Sequence, residues 1–66
     1  MHVGNCLRKA LEKNGQTQTS LGLQMQVATQ RIQQIINQSS VSTDTLELLT
    51  KALGLTLDEF KSLEGE

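Results

Sequence analysis

The chain has 66 residues, a formal net charge of −1 and a pI near 5.7, which admits one small domain that buries only about 60% of its unfolded surface. A lone cysteine (Cys6) excludes an internal disulfide framework, no Cys/His cluster points to structural zinc, and the 18-residue apolar run of a membrane span is missing. No basic-then-apolar leader opens the sequence, so a reduced protein of the bacterial cytoplasm or nucleoid is expected, and the acidic balance taken alone argues against a nucleic-acid partner.

In chain order, Val3, Cys6, Leu7, Ala10 and Leu11 fall at i, i+3, i+4, i+7 and i+8, which predicts a first helix over about residues 2–13. Asn14-Gly15 stops it, because both residues tolerate the left-handed conformation. Thr17 is the expected N-cap of a short second helix with Leu21 and Met25 inward and Gly22 beside them. A third helix is expected over about residues 29–36, with Ile32, Ile35 and Ile36 inside and Gln30, Arg31, Gln33 and Gln34 outside. Asn37 to Ser40 reads as a loop. Ser42-Thr43-Asp44 is rich in caps, and Asp44 with Glu47 offers a capping box, for a fourth helix carrying Leu46, Leu49 and Leu53 and ended by Gly54. Thr56 with Glu59 offers a second one, for a fifth helix lined by Leu57, Phe60 and Leu63. No strand survives this reading, so the expected fold class is all-α.

The charge divides along the chain. Residues 1–38 carry Arg8, Lys9, Lys13 and Arg31 against Glu12, a net +3; residues 39–66 carry Lys51 and Lys61 against Asp44, Glu47, Asp58, Glu59, Glu64 and Glu66, a net −4. From Asn14 to Gln38 there is no acid, but there are eight glutamines: 16, 18, 24, 26, 30, 33, 34 and 38. Such asymmetry is a cue for a segment that faces nucleic acid. The second and third helices supply the geometry. Leu21 and Met25 face inward on one, Val27 plugs the turn, Ile32 and Ile35 face inward on the other, and Gly22 lets the two approach steeply. This is a helix-turn-helix, whose second helix turns its polar face outward to enter a major groove.

On these residues the chain resembles the phage Cro/repressor-type helix-turn-helix family, the lambda-repressor-like fold. Thr17-Gln18, Leu21-Gly22, Met25, Val27, Ile32, Ile35 and Asn37 carry the likeness, together with the run from Leu46 to Phe60. It covers about residues 6–63, nearly the whole chain. The resemblance implies a compact five-helix domain with its helix-turn-helix at about residues 18–37, binding double-stranded operator DNA, usually as a homodimer. It implies base reading by Thr29, Gln30, Gln33 and Gln34, and phosphate or flanking contacts by Thr17, Gln18 and Asn37. Chemistry agrees, since glutamine pairs bidentately with adenine N6/N7, and Arg31 reaches guanine or a phosphate.

Several positions depart from the family pattern. Gln26 stands where the family has a turn glycine. Leu11 and Ile36 replace a buried arginine–glutamate pair, a self-consistent exchange. Ala28 is a poor cap for the third helix. Residues 38–43 carry no Lys or Arg, which implies a shallow salt dependence. The expected dimer surface is the loop after the third helix and the C-terminal region, around Val41 and Leu55 to Leu63, with a place in the core as the alternative for Leu57 and Phe60.

Each signal has a bland counterpart. The glutamine face is otherwise a solvated surface; Gln18 and Asn37 are otherwise caps; Leu23 off the stripe is an ordinary exposed leucine. His2 and Cys6 at i, i+4 have metal-binding spacing, against a packed cysteine and a solvated histidine; no metal site, cofactor or small-molecule ligand is expected. Catalysis is not expected either: His2 is the sole histidine, no paired carboxylates or nucleophile triad are recognisable, and the five glycines are scattered. The expectation is a Cro-type repressor without a sensing domain. The competing class is a protein-interaction module on the same fold, an antirepressor or antitoxin-like partner, supported by the acidic half.

Overall fold

In the computed structural model, which describes residues 2–65, the first apolar stripe forms helix α1 (Val3–Asn14). His2 caps it: its Nδ1 accepts the Asn5 N–H at 3.2 Å. Gly15 ends it in the left-handed region (φ 64°) as the Asn-Gly pair predicts. Helices α2 (Gln18–Met25), α3 (Thr29–Ile36), α4 (Thr43–Leu53) and α5 (Leu57–Ser62) follow, with a terminal 3-10 turn over Leu63–Gly65. The described residues contain no strand, and none of their helices is long and apolar enough to cross a membrane. All-α architecture is therefore the fold class.

The core draws on every helix. Val3, Cys6, Leu7, Ala10 and Leu11 of α1 meet Leu21, Ile32, Ile35, Ile36, Leu49, Leu53, Phe60 and Leu63 in one buried cluster. Phe60, the only aromatic, is fully buried within it. Leu11 and Ile36 are both buried in this cluster. At the far end, Lys9 Nζ donates to the Glu64 carbonyl at 3.4 Å and the His2 N–H to Glu64 Oε1 at 2.7 Å, tying the last turn to α1.

Two local expectations need correction. The cap of α4 is Ser42, whose hydroxyl accepts the Thr45 N–H; Asp44 lies one residue inside the helix, so Asp44 and Glu47 form no capping box. The serine wins because it directly precedes the first helical residue, with extended backbone (φ −64°, ψ 156°). Leu57 opens α5 but is 42% exposed, leaving Phe60 and Leu63 to anchor that segment. The Thr56–Glu59 capping box does form, in both directions.

Gly4 was not singled out by periodicity, yet it sets how α1 meets α3. The Val3 and Gly4 N–H groups, in the first turn of α1 where no intrahelical acceptor exists, donate to Ser39 O (3.0 Å) and Gln38 O (2.9 Å). A Cβ on Gly4 would stand 1.9 Å from Ile36 O. Only a residue without one lets the start of α1 lie on the end of α3.

Candidate nucleic-acid interface

Helix α2 opens on Thr17, in extended conformation, whose Oγ1 accepts the Ser20 N–H at 3.0 Å. The N–H groups of Gln18 and Thr19 that open the helix have no intrahelical acceptor, so this end presents donors and the positive end of the helix dipole. The Gln18 side chain is half-buried and makes no hydrogen bond among the described residues. At the other end the chain reverses through Gln26 in the left-handed region (φ 60°, ψ 40°), the one non-glycine residue with positive φ among those described. Glutamine at this position carries a conformational cost of about 1–2 kcal/mol that glycine would not.

Backbone rather than side chain closes the turn. The Val27 N–H donates to Gly22 O at 2.9 Å, and a Cβ on Gly22 would come within 3.0 Å of Val27 O and 3.6 Å of Thr29 N. The small residue on α2 thus accommodates the strand of chain that leads into α3. Val27 is 37% exposed and is not packed into the core, contrary to its expected role as a plug. Met25 is half-buried against the core.

Helix α3 is anchored by Ile32, Ile35 and Ile36, all buried. That anchoring decides where its other side chains stand. Gln30, Gln33 and Gln34 are related by i, i+3 and i+4, share the opposite face and are exposed. Arg31 is exposed at one edge of the face and Thr29 is half-buried at the other. Among the described residues, no hydrogen bond or ion pair engages the side chains of Gln30, Arg31, Gln33 or Gln34. Ala28 gives no side-chain cap, so the first N–H groups of α3 are also open. Asn37 is different: its Nδ2 donates to Gln33 O at 3.1 Å, capping the helix and leaving one amide hydrogen for another acceptor.

The glutamine-rich stretch therefore divides into two sets. Gln16 Nε2 donates to Gln24 Oε1 (2.9 Å) and Gln24 Nε2 to Ala52 O (2.6 Å), while Asn14 Nδ2 reaches Gln16 Oε1 and Leu53 O, each at 3.3 Å. These amides satisfy the last carbonyls of α4, which have no intrahelical donor, and clamp α2 onto α4. Sequence spacing gave no signal for this set, because its partners are backbone atoms 28 and 39 residues away.

Apart from Leu23, the remaining singled-out residues are occupied or covered. His2 Nδ1 is committed to its cap, and Cys6 is fully buried, where loss of solvent pushes its thiol above the ordinary range. Among the described residues no group of three or more His, Cys, Asp or Glu could hold a metal. Of the expected dimer surface, Phe60 and Leu63 are core, and Val41 and Leu55 are half-buried against it. Leu23 is 76% exposed.

A family model described as helix-turn-helix matches residues 7–60. No curated protein and no solved structure matches the chain.

Proposed function

The chain belongs to the helix-turn-helix family, whose members are DNA-binding regulatory domains, and we propose that it is a sequence-specific, operator-binding transcriptional repressor of the Cro type that acts as a homodimer. The observation that carries this reading is the outward face of α3. Three glutamines stand on it with every amide donor and acceptor uncommitted among the described residues, on a helix fixed by three buried isoleucines. Glutamines so placed suit bidentate pairing with adenine in a major groove, each good pair being worth about 1–3 kcal/mol of discrimination. Thr29 and Arg31 flank the same face. The open N–H groups of α2, with Thr17 and Gln18, suit a phosphate, as does the remaining amide hydrogen of Asn37.

Repression follows from occupancy: a dimer covering two half-sites excludes polymerase. Recognition helices one DNA turn apart require half-sites about 34–36 Å between centres. Arg31 is the one cation on α3 and residues 38–43 hold none, so few phosphates are neutralised. Each contributes a salt slope of about −0.9, and a shallow dependence is expected, with specificity carried by the glutamines.

The test is a gel shift at low salt against the DNA flanking the gene, probed for a palindrome of that spacing. A specific shift supports the repressor. No shift, with a stable complex to another protein instead, supports an antirepressor or antitoxin-like module.

A further inference from the structure

We propose that the outward face of α4 is a self-association surface, on which a second copy of this chain docks its own α4 in antiparallel orientation. Asp44, Glu47, Leu48 and Lys51 recur at i, i+3, i+4 and i+7 and form one exposed stripe. Leu48 stands in its middle, 58% exposed. A hollow lies on each side of it. One, of about 440 Å³, is bounded by Asp44, Glu47, Leu48, Thr50 and Lys51; the other, of about 390 Å³, is bounded by Gln24, Met25, Gln26, Leu48, Lys51 and Ala52.

The charges decide which occupant fits. Glu47 and Lys51 are one turn apart, yet among the described residues neither they nor Asp44 make an ion pair. Asp44 and Lys51 are separated by about 10.5 Å along the helix, at 1.5 Å per residue. Their midpoint falls between Glu47 and Leu48. A two-fold axis through that point sets Asp44 of each copy against Lys51 of the other; it brings together both the two Leu48 side chains and the two Glu47 carboxylates, and each Glu47 lies within one turn of the other copy's Lys51, which offsets their repulsion. A parallel arrangement matches like with like and loses both pairs. The face is thus complementary to itself only in the antiparallel sense, the isologous contact expected of a two-fold dimer. One leucine and a charged rim make a small patch against the roughly 800 Å² per partner of a standard interface, so the dimer is weak and salt-sensitive. The inference shares with the proposed repressor only the need for a second copy.

The test is sedimentation equilibrium of the full chain without DNA, at low and high salt, so its outcome is independent of whether the chain binds an operator. A concentration-dependent dimer that weakens with salt is expected. Leu48→Asp and Lys51→Glu should each weaken association at least tenfold. The charge-reversed double variant Asp44→Lys/Lys51→Glu should return to within about threefold of the parent strength at low salt. All three sites are exposed, and circular dichroism checks that each variant is folded. A chain that stays monomeric at millimolar concentration, a dimer indifferent to Leu48→Asp, or a double reversal that restores nothing overturns the proposal.

Discussion

Replacing Gly4 by alanine separates two opposed expectations. Helix propensity favours alanine over glycine by about 1 kcal/mol, so on local grounds the change stabilises. Tertiary packing says otherwise. The added methyl would lie 1.9 Å from Ile36 O, 2.6 Å from Ile36 C and 3.0 Å from Gln38 O, all backbone atoms. Ordinary contacts sit near 3.5 Å, so roughly 1.5 Å of separation must be found between α1 and the end of α3. That shift breaks the hydrogen bonds from Val3 N–H to Ser39 O and from Gly4 N–H to Gln38 O. Two lost hydrogen bonds cost about 2 kcal/mol, and repacking about 1–3 more. After the propensity gain the net loss is about 2–4 kcal/mol. Domains of this size hold about 0.05–0.15 kcal/mol per residue, so the loss is a large share of the total. Thermal unfolding followed by circular dichroism should show Tm falling by about 10–30 °C. A Tm that is unchanged or raised would refute the packing argument.

Other substitutions probe other links. Gln26→Gly relieves the left-handed backbone, offset by greater freedom of the unfolded chain, and should stabilise by about 0.5–1 kcal/mol in urea titrations. Ile36→Glu buries an unpaired carboxylate and should cost about 3–5 kcal/mol; adding Leu11→Arg should recover much of it if the two positions are partners, which a double-mutant cycle measures. Burial raises the Cys6 thiol from its ordinary value of 9.0. The fold favours the neutral thiol, so this contribution is complete below that value and is lost as pH rises through the higher folded value. Urea titrations between pH 7 and 10 should show an alkaline decline that Cys6→Ala reduces.

How legible the molecule was depended on whether a feature is local. The bounds of α3 follow from three isoleucines at helical spacing, and that spacing also fixes which glutamines face outward. The Thr56–Glu59 capping box is a short-range pattern and forms as read. Ser42 takes the cap in place of Asp44 because the choice turns on two residues of boundary, where the two side chains compete for similar roles. Gly4 was invisible because its constraint comes from carbonyls more than thirty residues away. The same applies to Gln16 and Gln24, whose amides resemble those of Gln30 and Gln34 in sequence but are drawn to the end of α4. Val27 misled because a hydrophobic residue in a tight turn reads as a plug, whereas backbone hydrogen bonding already closes this one.

The central claim is that the glutamine face of α3 reads DNA sequence. The most direct measurement is fluorescence anisotropy on the operator palindrome and on a scrambled duplex, for the parent chain and for Gln30→Ala and Gln34→Ala. If the face reads bases, each variant keeps its affinity for the scrambled duplex and its salt slope, while preference for the operator falls by about 1–3 kcal/mol. An operator preference equal to the parent's in both variants would contradict the claim.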